Sequence, residues 1–260
     1  GVAIASVVAQ WSGFLFMIWY INRPGSHIGV GRFVKISLFL SAIRDHVAYR
    51  RFFVLGRDIF IRTALLVFCE AVVLNQAAKL GNLDLATCQL VLTLFGILAF
   101  ALDAFAYAAE ALVGEAIGKR NLSSLRIAIK RTNSLAFGLA LIIATILWLG
   151  DTVILRLFTT QAALITHAQS HWLWACLLAP ASFLAFQLDG VFVGATRGQD
   201  MRNAMIISAS GLGLALLLFD PWDLHGLLAA FVGYLGLRGA SLWWHIDRVY
   251  AQAVQPPKLR

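Results

Sequence analysis

Apolar residues run along this chain in long unbroken blocks, not in alternation with polar ones. The blocks fall near 2–22, 59–79, 85–109, 134–155, 172–193, 204–219 and 225–244. Most approach the roughly 20 residues that a helix needs to cross about 30 Å of hydrocarbon. Strands of a membrane barrel would show short segments of alternating polarity instead. The pattern predicts an all-α membrane protein with about seven transmembrane helices. The block 204–219 is short, and Arg202 and Asn203 are expected to supply its first turn.

The polar stretches group these blocks into one helix plus six. The stretch 23–56 is the one long connection, opened by a turn at Pro24-Gly25-Ser26. Within it Ile36, Leu40, Ile43 and Val47 recur at helical spacing beside Arg44, Arg50 and Arg51. That suits an amphipathic helix in the headgroup plane, with a solvated linker as the alternative. The remaining connections are short, with tight turns expected at Gly81-Asn82 and Asp220-Pro221. Short loops make consecutive helices antiparallel neighbours, so 57–247 is expected to form a six-helix bundle and 248–260 a tail.

Composition supports a lipid environment. Of 260 residues, 60% are hydrophobic and 13% charged, where soluble domains carry about a quarter charged. The net charge of +8 would suggest nucleic acid in a soluble chain. Here the basic residues sit between the apolar blocks, so the bilayer, not nucleic acid, is the expected partner. Arg23, Arg32, Lys35, Arg44, Arg50, Arg51, Arg57 and Arg62 fall on one side of the first crossing, with Lys119, Arg120, Arg126, Lys130, Arg131, Arg197, Arg202, Arg248, Lys258 and Arg260 on the same side by parity. The opposite side has Lys79 and Arg156. Basic residues are retained in the cytoplasm, so the C-terminus is expected there and Gly1 outside. Cys69, Cys88 and Cys176 all lie in apolar blocks and form no CxxC pair, which reads as small buried hydrophobes. No charged segment precedes the first block and no cleavage site follows it, so it is no signal peptide. The sequence reads as starting within a longer gene product.

Ionisable side chains at membrane depth are costly and mark functional sites. Asp103, Tyr107, Glu110 and Gly114 share one helix face beside an alanine-rich remainder, and such a face can line an aqueous cavity. The structural alternative has Glu110 and Glu115 pairing with Lys119 and Arg120. Asp189 follows Gln187 on a helix that Pro180 allows to bend, the combination an alternating-access device needs. Glu70 sits mid-block, and Arg238 is the only deep cation expected, a partner for one of these acids. His167 and His171 stand four apart, but no third ligand lies close in sequence, so no metal site is expected. No phosphate-binding loop, dinucleotide motif or nucleophile set is present, so no cofactor is implied.

Two long stretches resemble one family. Residues 101–119 (ALDAFAYAAEALVGEAIGK) resemble the eighth helix of DinF-like MATE (multidrug and toxic compound extrusion) transporters, with Ala104 where glycine is commoner. Residues 186–205 (FQLDGVFVGATRGQDMRNAM) resemble that subfamily's tenth helix and the loop after it, and 57–63 (RDIFIRT) the start of its seventh. The resemblance implies twelve helices in two lobes and export of organic, often cationic and amphipathic compounds in exchange for protons or sodium. It implies a bacterial inner-membrane location. It makes 1–22 the last helix of the N-terminal lobe, 23–56 the inter-lobe linker and 57–247 the C-terminal lobe, so the missing N-terminal lobe is the implied partner. Glu70 and Asp189 lie on the helices that carry the coupling acids of sodium-driven relatives, each about one turn from its counterpart. The ion-coupling and transport candidates are therefore Asp189, Asp103, Glu70, Glu110, Tyr107, Gln187 and Arg238, with Pro180 as hinge and the coupling ion H+ or Na+. A lipid or lipid-linked precursor flippase on the same fold is the second reading, favoured by an arginine-rich cavity. A membrane-embedded enzyme is a distant third, since the clustered ligands or nucleophile it needs are not evident.

Overall fold

A computed structural model describes residues 2–22, 46–219 and 223–254, and the amphipathic segment expected over 36–47 and the turns at 24–26 and 220–221 lie almost wholly outside them. The described residues are helical: α1 (Val2–Asn22), α2 (His46–Leu80), α3 (Asn82–Gly118), α4 (Leu122–Leu149), α5 (Asp151–Phe158), α6 (Ala162–Ser170), α7 (Trp172–Gly194), α8 (Gly198–Phe219), α9 (Asp223–Trp243) and α10 (Ile246–Val254). Contacts divide the chain into two units, 1–53 and 54–260. In the first, α1 presents Trp11, Phe14, Phe16 and Trp19 exposed along its length.

Five stretches among the described residues are long and apolar enough to cross a membrane: α3, α4, α7, Gly198–Leu218 of α8, and Asp223–Val254, which takes in α9 and α10. A shorter apolar stretch, Ala5–Tyr20, lies in α1. The remaining helix, α2, is the most polar of the expected crossings, because Arg57, Asp58, Arg62, Glu70 and Lys79 all fall within it. The block expected as one span over 134–155 is interrupted. Gly150 ends α4 by donating its N–H to Ile146, and α5 starts afresh at Asp151. The short block 204–219 gains more than a first turn, since α8 begins at Gly198. Several basic residues assigned to loops sit on helices: Arg57 and Arg62 on α2, Arg126, Lys130 and Arg131 on α4, Arg202 on α8. Residues expected as tail begin with α10, which buries Ile246, Val249 and Ala253.

In the second unit α7 is the hub, packing against α3, α4 and α9. Its buried residues include Ala175, Ala179, Ser182, Ala185, Gly190 and Val191, so neighbouring backbones approach closely. Gly190 and Gly194 form a small-xxx-small pair of the kind that brings membrane helices together. A Cβ at Gly190 would overlap the Ala106 carbonyl, and one at Gly194 would lie 2.5 Å from the Glu110 carbonyl oxygen. On the other flank a Cβ at Gly239 of α9 would lie 3.1 Å from the Ala185 nitrogen. The α3–α4 and α7–α8 turns close alike. Arg120 and Thr196 adopt positive φ (54° and 55°), and the next N–H, of Asn121 and Arg197, returns to the carbonyls of Ala116 and Phe192. Asn121 then caps α4, accepting from the Ser124 N–H at 2.9 Å.

The core is aromatic at its centre. Phe95 stacks edge-on against Phe231 at 5.4 Å and lies 5.9 Å from Phe186. Cys69, Cys88 and Cys176 are buried free thiols, as their positions predict. The outside carries Phe60, Phe68, Phe100, Leu149, Leu157 and Trp244 exposed, a surface suited to lipid or to another apolar partner. The packing at Gly190 is testable. Gly190→Ala forces the α3 backbone away and is expected to destabilise the lobe by about 2 kcal/mol or more. Gly138→Ala, with open space around its Cβ inside α4, should not lower the thermal midpoint of the detergent-solubilised chain and should raise it slightly.

Candidate functional site

The second unit holds an ion triad built from three helices. Asp189 of α7 accepts from Arg62 of α2 at 2.8 Å and from Arg238 of α9 through the same Oδ2. Arg238 is 2% exposed, and its guanidinium also lies over the Phe186 ring, 5.7 Å from the centroid. Phe186 and Asp189 are one turn apart on α7, so one helix face supplies both the counter-charge and a polarisable surface. Gly239 lets α9 come close enough for Arg238 to reach both.

Charge balance here is incomplete. Two guanidiniums share one carboxylate, and two other acids lie in their field. Asp103 of α3 feels Asp189, Arg238 and Arg62, and Glu70 of α2 feels Arg238. Neither forms an ion pair among the described residues. Arg62 Nε, Arg238 Nη1 and Asp189 Oδ1 are buried without a hydrogen-bond partner among the described residues. Buried polar atoms of that kind are costly unless something else meets them.

The candidates read from the sequence divide accordingly. Asp189, Asp103, Glu70 and Arg238 come together. Gln187 does not join them. Two residues from Asp189 along a helix is a turn of about 200°, and Gln187 instead donates to Thr132 Oγ1 of α4 at 2.6 Å. Tyr107 is 67% exposed and faces away from the lobe interior. Glu110 is half-buried, and its carbonyl meets Gly194. The buried stripe of α3 is Leu102, Ala106, Ala109, Val113 and Ala116, so the stripe of Asp103, Glu110 and Gly114 borders the packed face. Glu115 pairs with Lys119 at 2.5 Å, as the structural alternative anticipates. Pro180 sits inside the continuous helix α7.

Three buried or half-buried charged groups escape sequence reading. Arg62 belongs to the triad, although its position at the head of an apolar block reads as a loop charge. Asp58, 2% exposed, accepts from Arg202 at 2.7 Å and Arg57 at 3.2 Å, joining α2 to α8. Asp200, 4% exposed, accepts from Arg197 at 2.5 Å and Arg248 at 2.6 Å, joining the α7–α8 turn to α10. The Asp58 and Arg62 spacing of four on α2 is the one signal in the sequence that links these two clusters. No group of three or more His, Cys, Asp or Glu residues among the described residues is arranged to hold a metal ion.

The MatE family model matches residues 59–219. DNA damage-inducible protein F of Escherichia coli (strain K12) is 33% identical over 244 residues, which is 93% of this chain and 51% of that protein. Protein DETOXIFICATION 42 of Arabidopsis thaliana is 23% identical over 249 residues, 95% of this chain and 46% of the relative. Among solved structures, the eukaryotic MATE transporter AtDTX14 superposes with a TM-score of 0.80 at 17% identity, over 97% of this chain and 57% of its own. The chain thus spans about half the length of the curated relatives it matches.

Asp189→Asn should strip the buried arginines of their counter-charge and cost about 3 kcal/mol of lobe stability. Arg62→Met should cost less than Arg238→Met, because Arg62 keeps 20% of its side chain exposed. Chemical unfolding in detergent ranks the three.

Proposed function

The chain belongs to the MatE family, and from that premise we propose that it forms the C-terminal lobe of a secondary transporter, with the Arg62–Asp189–Arg238 triad at its coupling centre. The observation that carries this reading is the triad itself: a buried carboxylate shared by two arginines on separate helices, with Asp103 and Glu70 in their field. Such a centre can exchange between two electrostatic states. In one, Asp189 holds both arginines. In the other, a proton or sodium ion neutralises an acid, and an arginine turns to another partner. Exchange between pairings of this kind moves helices relative to one another, which alternating access requires.

The transported compound is a small amphipathic molecule, exchanged for H+ or Na+ across a bacterial inner membrane, and the other lobe of the same protein completes the cavity. The C-terminus faces the cytoplasm in this reading, because the end of the lobe with Lys119, Arg120, Arg126, Lys130, Arg131, Arg197 and Arg202 is the basic one. Asp103 and Glu70 are the exchangeable acids, and Asp189 is the fixed partner.

A flippase for anionic lipid-linked precursors is the second reading. Arg62 favours it, since the buried centre holds two cations where the sequence suggests one. An anionic headgroup would meet the unpartnered Arg62 Nε and Arg238 Nη1.

The complete reading frame, expressed in a pump-deficient strain, should support ethidium efflux driven by a proton or a sodium gradient. Asp103→Asn and Asp189→Asn should each reduce it at least tenfold. Unchanged efflux in both variants removes the triad from the mechanism. Wild type inactive on ethidium but flipping a labelled anionic lipid in vesicles favours the second reading. A green fluorescent protein fused after Arg260 should fluoresce, and a periplasmic alkaline phosphatase at the same place should be inactive.

A further inference from the structure

At the end of the lobe opposite the basic turns, three histidines from different segments stack. His167 of α6 lies 4.8 Å from His171, and His171 lies 4.0 Å from His225 of α9, with interplanar angles of 26° and 28°. Sequence spacing suggests only the first pair. The fold adds His225 from 54 positions beyond His171 and Asp84 from the start of α3.

The hydrogen bonds place a partner on one or both nitrogens of each ring. His167 Nε2 faces Asp84 Oδ1 at 3.2 Å, so that nitrogen carries a proton, and its Nδ1 lies 3.0 Å from the Thr87 hydroxyl. His171 Nδ1 lies 2.9 Å from the His167 carbonyl oxygen, so that nitrogen is the donor. His225 Nδ1 accepts from the Trp174 indole N–H at 3.2 Å. A proton arriving at His225 Nδ1 displaces the Trp174 bond. A proton on either outer ring also sets a charge against His171, which is itself 7% exposed.

Among the described residues, Asp84 is the charge that offsets a proton here: it faces His167 directly at 3.2 Å and also acts on His171, so the uncompensated proton is the one on His225. Asp151 of α5 is engaged by Thr152 and by Gln169. Asp223 and Lys79 line a neighbouring cavity of about 110 Å³ with Gln76 and Leu227. His171 lies below its ordinary value of 6.5, mainly through burial, with the charges of His225 and His167 adding to the effect; its bond to the His167 carbonyl and the Asp84 charge oppose it.

We propose that the His167–His171–His225 stack is a proton-binding site that fastens the first turn of α9 to α6 and α7 while its rings are neutral, and releases it when a ring takes up a proton. The bound ligand is the proton, and the response is separation of α9 from α7 at this end. Because His171 is depressed in the folded lobe, the unfolded chain takes its proton first. Stability present above pH 6.5 is therefore lost as pH falls below it.

The full chain in detergent tests this. The wild-type thermal midpoint should fall by about 3–5 °C between pH 7.5 and 5.5. Trp174 emission, taken as the difference between wild type and Trp174→Phe, should shift to the red over the same range. His225→Gln keeps an acceptor for Trp174 but takes up no proton near neutrality, so the Trp174 emission shift should be lost, while the part of the fall in midpoint that comes from the burial of His171 should remain. Histidine-ring NMR of the wild type provides a readout that needs no substitution at the stack, and there His171 should titrate below 6.5. A wild-type midpoint and emission independent of pH overturn the proposal. So does an emission shift that persists in His225→Gln, or an ordinary His171 titration.

Discussion

Helices in a bilayer gain little by hiding apolar surface from one another, because lipid tails are equally apolar. Their association rests on close contact, and here that contact is between backbones. Gly190 and Gly194 let α7 lie directly on the carbonyls of Ala106 and Glu110 in α3, and Gly239 does the same for α9 beside Ala185. Asp189 immediately precedes Gly190. The same approach that packs the helices therefore fixes how far the carboxylate sits from Asp103 on one side and Arg238 on the other. A wider spacing would leave Arg238 buried without a partner, at a cost a membrane interior does not forgive.

The charges are distributed by depth. The central triad is largely buried and under-compensated, with two arginines on one carboxylate. The clusters at the basic end are satisfied: Asp58 and Asp200 each take two arginine contacts. The histidine end is stacked, with Asp84 as the acid against its first ring. Rigid bracing thus sits at one end, while the groups able to change charge or partner lie at the centre and the far end.

The helical class was legible because continuous apolar blocks admit few other solutions, and the depth of Asp103, Asp189 and Arg238 followed from their position within those blocks. What escaped depends on angle and on long-range contact. Gln187 and Asp189 are near in sequence, yet 200° of helical rotation sends one to α4 and the other to α2 and α9. Arg62 stands where an apolar block begins, and only the partner across the bundle distinguishes a triad member from a headgroup anchor. The break at Gly150 hides inside an apolar run, because glycine and a single Asp151 hardly alter its polarity. His225 joins His171 through tertiary structure alone, and no periodicity points to it.

One feature of α2 bears on how the lobe can work. α3, α7 and α9 meet backbone against backbone at their glycines, whereas α2 reaches its neighbours mainly through side chains: the buried Cys69, Val73 and Ala77, and the pairs Asp58–Arg202 and Arg62–Asp189. Interlocked backbones resist sliding, because every ångström of movement meets repulsion. Ionic tethers on flexible stems tolerate it, and their strength follows the local charge and ion content. α2 can thus swing without unpacking the glycine seams of α3, α7 and α9, on hinges whose stiffness is set by chemistry and not by shape.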